Sequence, residues 1–279
     1  MPIKKELELL ELIDQKLEEL VFAFIDNFNL KVSKEIQTAL LDFIDTLDNE
    51  LDLTKRVERL NSVNKFRSEL QKVISGGAIA DGYKLLISNY KELVSIGNEY
   101  FSLLSSNYDK NLYKELFKGS IAFLKESLTG AGVSINVVNP IVDKLYQLNL
   151  TGNVTKKELK GFITEYFKAD GSIQRSIEQL TTDSLYQMTS NYQMEVSKDL
   201  NVEYFYYAGT RIKTSRSFCV ERYGKVYTKK EVESWADLTW NGKIMPGTNK
   251  NTIFTYRGGW NCRHTLRPVS KRFYDNLKK

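Results

Sequence analysis

The sequence changes character at Val202–Gly209, which reads VEYFYYAG. Aromatic and β-branched residues dominate this stretch and favour a strand, and Ala208-Gly209 is typical of the turn that ends one. A second short strand is predicted at Lys225–Thr228, directly after the turn Tyr223-Gly224. From Val202 to the C-terminus the pattern therefore predicts a small, loop-rich α+β module.

The residues before this stretch have a helical period. Apolar side chains recur at three- and four-residue steps over roughly residues 7–24, 36–47 and 53–74, which is the spacing of one face of an α-helix. Ser33 is a candidate N-cap for the second of these helices, and Thr155-x-x-Glu158 predicts a capping box further along. Phe and Tyr interrupt the stripes too often for a long coiled coil, so we predict a helical bundle or elongated helices.

Charge follows the same division. From Asn201 onward, 16 Lys/Arg stand against 6 Asp/Glu, a net charge of +10, whereas the first 200 residues carry 24 and 29, a net of −5. All three tryptophans, both cysteines and the single histidine also lie after residue 200. We therefore predict the α+β class, with a helical region at 1–200 and a basic α+β module at 201–279.

Composition also excludes several kinds of site. A chain of 279 residues with 42% hydrophobic and 27% charged residues can form a packed core. It has no apolar run of about 18 residues and no signal-peptide core, so we expect a soluble chain with no membrane partner. One histidine and two cysteines exclude sites built on several histidines or four cysteines. The G-x-x-x-x-G-K-[ST] and G-x-G-x-x-G phosphate-binding motifs do not occur.

Three short strings in the module carry the remaining information. The first string is Arg211–Cys219 (RIKTSRSFC), the second is Trp240–Gly247 (WNGKIMPG) and the third is Tyr256–His264 (YRGGWNCRH). The part GGWNCRH of the third string, followed by Pro268-Val269 and preceded by RSFC in the first, resembles the C-terminal module of the phage Mu F-like head morphogenesis family. The match covers about residues 205–270, and His264 stands where many relatives have a second cysteine.

The resemblance implies a minor head (capsid) protein of a tailed phage or prophage, acting as a structural protein and not as an enzyme. Such a portal-associated protein is present in few copies at or near the portal. It acts in head morphogenesis, with a further role in genome packaging or delivery. The implied partners are the portal protein and other head proteins. The implied location is the virion, in the phage head near the portal, with the host cytoplasm as the site of assembly.

Three interpretations are open for Cys219, Cys262 and His264. They could bind zinc, with a carboxylate or water as fourth ligand, or the two cysteines could form a disulfide worth about 3–4 kcal/mol. Under the third interpretation they are buried thiols beside a hydrogen-bonded histidine, and no cofactor is bound. All three interpretations bring the first and third strings into contact. We call these residues the clasp, and predict that Gly258 and Gly259 form the turn that lets the strings approach.

The basic residues predict a surface that binds either phosphate groups or an acidic partner protein. If it binds phosphate, we expect nonspecific contact with packaged DNA. The candidates are Arg211, Lys213, Arg216, Arg257, Arg263, Arg267, Lys271 and Arg272. We also expect Arg216 and Arg263 to be partly buried and to bridge backbone carbonyls or carboxylates across the clasp. Two alternatives belong to other classes of protein: a prophage-encoded nuclease or toxin-like enzyme using His264 as general base, and a nonspecific DNA-binding module.

Overall fold

A computed structural model describes residues 3–46, 64, 67–68, 70–72, 77–111, 113–129, 134–150, 155–168 and 172–278. Over these residues the protein is helix-rich, with a three-stranded antiparallel sheet near the C-terminus. The predicted α+β class, with a helical N-terminal region, is confirmed. The helix predicted over 53–74 lies for the most part outside the described residues. No helix within the described ranges is both long and apolar enough to cross a membrane.

The helices that precede the sheet include α1 (Ile3–Asn27), α2 (Ser33–Thr46), α3 (Gly77–Leu104), α4 (Lys114–Thr129), α5 (Asn139–Leu150), α6 (Lys156–Tyr166) and α7 (Ser172–Asp199). The capping box of Thr155 and Glu158 at the start of α6 is confirmed. The N-cap predicted at Ser33 is wrong. A π-helical turn at Phe28–Val32 joins α1 directly to α2, and Ser33 has helical backbone angles, because Phe28 and Val32 are buried in the core of their unit.

The module after α7 contains β1 (Tyr204–Gly209), α8 (Ser217–Arg222), β2 (Val226–Thr228), α9 (Lys229–Ser234), α10 (Ile253–Tyr256), β3 (His264–Pro268) and α11 (Lys271–Leu277). The strand order is β2-β1-β3, and both pairs are antiparallel. The two strands predicted from sequence are confirmed as β1 and β2. A capping box formed by Thr228 and Glu231 starts α9.

The central strand β1 has one face in the core of the module. Phe205 and Tyr207 are buried there, in a cluster that includes Phe218, Trp235 and Leu266. The alternate residues of β1 lie on the other face, because successive side chains of a strand point to opposite sides. On that face the ring of Tyr204 lies 4.6 Å from that of Tyr274, and the ring of Tyr206 lies 5.6 Å from that of Phe273, so α11 covers it.

The chain forms two compact units. One comprises Met1–Val21, Ile87–Leu124 and Thr182–Lys279, and the other comprises Phe22–Leu86 and Lys125–Thr181. The change in composition at residue 200 falls inside the first of these units. In that unit, residues of α1 and α7 hydrogen-bond to the module that follows residue 200.

Two carboxylates of α1 are inserted into the module. Glu6 accepts hydrogen bonds from the backbone N–H and the hydroxyl of Ser270, both at 2.7 Å. One oxygen of Asp14 accepts from Nε of Arg267 at 3.0 Å, from its Nη2, and from the hydroxyl of Thr265 at 3.1 Å. Arg267 is 0% exposed, so Asp14 neutralises a buried positive charge on β3.

The second unit has its own apolar core, which supports α2, α5 and α6. Its buried members are Phe28, Val32, Ile36, Leu40, Ile44, Leu70, Val138, Ile141, Val142, Leu159, Ile163, Phe167 and Ile177. Their spacing along α2 follows the helical period that the sequence predicted, because Ile36, Leu40 and Ile44 fall four residues apart on one face.

Candidate functional site

The structure brings Cys219, Cys262 and His264 together, as the sequence predicts. The sulfur atoms of Cys219 on α8 and of Cys262 are 3.9 Å apart, and Cys262 Sγ lies 3.8 Å from Nδ1 of His264. Both thiols are free, and all three side chains are buried. The two-residue spacing of Cys262 and His264 places both on one side of an extended segment that continues into β3.

Tyr207 of β1 closes this cluster from the sheet side. Its hydroxyl donates to Cys219 Sγ at 3.4 Å, and its ring stacks on that of His264 at 5.3 Å between centroids. The ring of Tyr223 meets His264 edge-on at 6.0 Å. Two aromatic rings and a thiol therefore surround the imidazole, and its Nε2 atom has no hydrogen-bond partner among the residues that the structure describes.

Gly258 and Gly259 each allow a close approach between two segments of the module, at two different places. A Cβ atom on Gly258 would lie 2.4 Å from Cys219 Sγ and 2.8 Å from Cys262 Sγ, so only glycine lets the backbone pass beside both sulfurs. Gly259 has a φ of +95°, and a Cβ there would lie 1.8 Å from the carbonyl oxygen of Gly242. The pair thus joins the third string to the first through Gly258 and to the second through Gly259.

The second string completes the arrangement. Trp240 Nε1 donates to the carbonyl of Gly258 at 2.9 Å, and Trp260 N–H donates to the carbonyl of Gly242 at 2.9 Å. Arg216 is partly buried, and its Nη2 donates to the carbonyl of Trp260 at 2.7 Å. Arg216 therefore bridges to a backbone carbonyl of the third string, as expected. Arg263 is partly buried as well.

Two buried ionisable residues, Arg257 and Asp183, lie close to the clasp. Arg257 is 0% exposed, and its Nη1 donates to the carbonyl of Tyr186 at 2.9 Å and to the hydroxyl of Ser190 at 2.5 Å. One oxygen of Asp183 accepts a hydrogen bond from the backbone N–H of Asn261 at 2.7 Å, while the other has no hydrogen-bond partner within the described part of the chain. Burial raises the pKa of Asp183 from 3.8 to about 6, against a smaller opposing effect of the Asn261 hydrogen bond and Arg257.

The two sulfurs differ in their electrostatic surroundings. The hydrogen bond to Cys262, together with burial, raises the pKa of Cys219. The hydrogen bond from Cys219, with His264 and Arg257 acting in the same direction, lowers the pKa of Cys262 despite its burial.

The predicted basic surface needs correction at two positions. Arg257 and Arg267 are both 0% exposed and are hydrogen-bonded to α7 and α1 respectively, so neither can contact DNA. The other six candidates are exposed or partly exposed: Arg211, Lys213, Arg216, Arg263, Lys271 and Arg272. The antiparallel register pairs Gly209 with His264 and Phe205 with Pro268, so the first four lie near one end of β1, and Lys271 and Arg272 near the other, about 13 Å away along the strand.

The contribution of α7 to this site was not predicted from sequence. Asp183, Tyr186, Ser190 and Asn191 all contact the third string or the residues beside it. The sequence feature that could have indicated this contribution is the series of polar residues in the middle of α7. The structure buries seven of them: Thr182, Asp183, Ser184, Thr189, Ser190, Gln193 and Ser197. Small polar residues in the middle of a long helix, where an apolar stripe is expected, indicate a face that packs against a polar partner.

Comparison with known proteins gives no match for this chain: no family model, no curated protein and no solved structure matches it.

Asp183→Asn is expected to change how stability depends on pH. Because the pKa of Asp183 in the folded protein is about 6 and its ordinary value is 3.8, folding favours the protonated carboxyl. Stability is lost as pH rises through this window, by about 2–3 kcal/mol in full. Asparagine has no such loss and can still accept from Asn261. Between about pH 4 and pH 7 the free energy of unfolding should therefore shift in favour of the variant by that amount. Parallel pH profiles for the two proteins in urea unfolding would contradict this.

Proposed function

We propose that this chain is a minor head protein of a tailed phage or prophage. In this proposal it acts non-enzymatically at or near the portal, in head morphogenesis and in genome packaging or delivery. The observation that carries the proposal is that the GGWNCRH and RSFC strings, on which the family resemblance depends, meet at one structural cluster, with Cys219, Cys262 and His264 buried at its centre.

Each of these motif residues has a structural contact. Cys219, Cys262 and His264 meet in the interior, Gly258 makes room beside the two sulfurs, and Arg216 bridges to the carbonyl of Trp260. A motif of this kind defines how a module folds, and a reacting centre would need access for a substrate. The cluster therefore supports a module that serves as a compact binding body for other head proteins.

The same geometry weighs against an enzyme that uses His264. A general base must come within hydrogen-bond reach of the proton it removes. His264 is 3% exposed, lies against the rings of Tyr207 and Tyr223, and directs Nδ1 toward Cys262 Sγ. A substrate could reach this ring only if the clasp opened, so we place the nuclease or toxin-like alternative second.

Quantitative mass spectrometry of purified, DNA-filled particles from the producing host tests the proposal. We expect this chain at a few copies per portal ring, in a constant ratio to the portal protein, while the major capsid protein supplies the internal reference. Particles that contain the portal and the other head proteins but lack this chain would overturn the assignment. Empty particles prepared alongside show whether the chain enters with the DNA or before it.

Nonspecific contact with packaged DNA is assigned to the exposed loop after β1. Arg211 and Lys213 are exposed there, and Trp260 is 47% exposed near the same end of the strand. The double variant Arg211→Glu/Lys213→Glu should weaken duplex DNA binding and lower the slope of log K against log salt by about 2. Lys271→Glu/Arg272→Glu, with the same charge change at the other end of β1, is the matched control. Equal losses in the two variants would rule out a localised surface.

A further inference from the structure

The three donor atoms of the clasp are spaced as metal ligands. One atom each from Cys219, Cys262 and His264 lies within 4.8 Å of the others, with 3.9 Å between the sulfurs and 3.8 Å from Cys262 Sγ to Nδ1 of His264. Zinc bonds of about 2.3 Å to sulfur and about 2.0–2.1 Å to nitrogen place tetrahedral ligands about 3.8 Å and about 3.6 Å apart. We propose that these three side chains bind one zinc ion. This inference is independent of the proposed role in the phage head.

The donors converge from separate parts of the module. Cys219 lies on α8, Cys262 lies 43 residues further along the chain, and His264 is the first residue of β3. Their direct contacts with one another are long ones, 3.9 Å and 3.8 Å, which are weak as hydrogen bonds. Bound zinc would replace these two weak contacts with three coordinate bonds, and so would hold α8 and β3 together.

The surroundings hold the donors in place. The hydroxyl of Tyr207 donates to Cys219 Sγ, which is the type of outer hydrogen bond that orients a thiolate ligand, and its ring stacks on His264 and sets the plane of the imidazole. Gly258 leaves open the space beside both sulfurs that any side chain would occupy. Neighbouring groups thus restrain each donor before any metal binds.

The donor set selects the metal. Two thiolates and an imidazole favour zinc or another thiophilic ion over magnesium or calcium, which require oxygen ligands. The two thiolate charges balance those of a divalent ion, so the buried site is neutral when loaded. Among the described residues no fourth Cys, His, Asp or Glu joins the cluster, which leaves a water molecule for the fourth position. Because the donors are buried, we expect zinc to enter during folding and to leave slowly from the folded protein.

Metal analysis of the full-length chain tests this. The protein is produced with zinc in the medium, purified without chelator, and measured for zinc and for free thiols after denaturation. We expect about one zinc per chain together with two reduced thiols. Replacing zinc with Co²⁺ should give a thiolate-to-cobalt charge-transfer band and the intense d–d bands of a tetrahedral site. A folded wild-type chain that holds no zinc when zinc is supplied, or that contains a Cys219–Cys262 disulfide, would overturn the proposal.

Two variants locate the ion. Cys262→Ser should reduce the zinc content to about a tenth of the wild-type value or less, since it removes the central donor. Tyr207→Phe keeps the ring on His264 but removes the hydroxyl, so it should retain about one zinc per chain with weaker affinity, by about 10- to 100-fold. Equal zinc content in Cys262→Ser and the wild type would overturn the assignment. If Cys262→Ser does not fold, the Co²⁺ spectrum of the wild type decides by the presence or absence of the charge-transfer band.

Discussion

Gly259→Ala is expected to unfold the C-terminal module or to cost it about 3–5 kcal/mol. The backbone of Gly259 has a φ of +95°, and an added Cβ would lie 1.8 Å from the carbonyl oxygen of Gly242 and 2.6 Å from its carbon. Neither segment can easily withdraw, because Trp260 N–H donates to that same carbonyl at 2.9 Å. Unfolding in urea followed by tryptophan fluorescence reports on the unit that contains this module, since all three tryptophans lie after residue 200.

Gly224→Ala is the matched control. Gly224 also has a positive φ, +74°, but nothing lies within 4 Å of the position of an added Cβ. Its substitution should cost about 1–2 kcal/mol, which is the penalty for a left-handed conformation alone. The difference between the two variants measures the close approach of the second and third strings. Equal losses would show that the approach at Gly259 does not stabilise the module.

Asp14→Ala is expected to destabilise the unit that contains the C-terminal module by about 3–5 kcal/mol. Asp14 is the ion-pair partner of Arg267, which is 0% exposed, and it also accepts the Thr265 hydroxyl. Removing the carboxylate leaves a buried guanidinium without a compensating charge. The same fluorescence measurement detects the loss, although the substituted residue lies more than 250 positions away in sequence from Arg267.

Two further variants separate charge compensation from simple loss of contact. Glu18→Ala, one turn along α1, removes a carboxylate that accepts from the exposed hydroxyl of Thr210, so it should cost about 1 kcal/mol or less. Asp14→Leu combined with Arg267→Met removes both charges and should recover most of the stability lost in Asp14→Ala. If Asp14→Ala lowered the free energy of unfolding no more than Glu18→Ala does, the buried charge of Arg267 would not need the Asp14 carboxylate of α1 to compensate it.

Much of the local structure could be predicted from sequence, because local chemistry decides it. Aromatic and β-branched residues favoured β1, and the Thr155 capping box requires only four consecutive positions. The meeting of Cys219, Cys262 and His264 could also be predicted, since few positions in the chain offer such side chains. These predictions needed no knowledge of how distant segments pack.

Which of the basic residues are buried and which are exposed could not be predicted from sequence. Arg257 and Arg267 stand in the same basic part of the sequence as the surface arginines, and they were predicted with them as contacts for DNA. Their burial depends on partners elsewhere in the chain, Asp14 on α1 and the Tyr186 carbonyl and Ser190 on α7. A single sequence gives no distance between such positions, so it cannot show which cation is neutralised inside the fold.

The α+β class, the strands β1 and β2, the Thr155 capping box and the meeting of the three clasp residues could all be predicted from sequence. Each of these depends on propensity or on the rarity of a side-chain type over a short span. The part that α1 and α7 play in the module became visible only in the folded chain. Burying Arg257 and Arg267 requires hydrogen bonds and opposite charge, and the chain supplies these from helices that are remote in sequence.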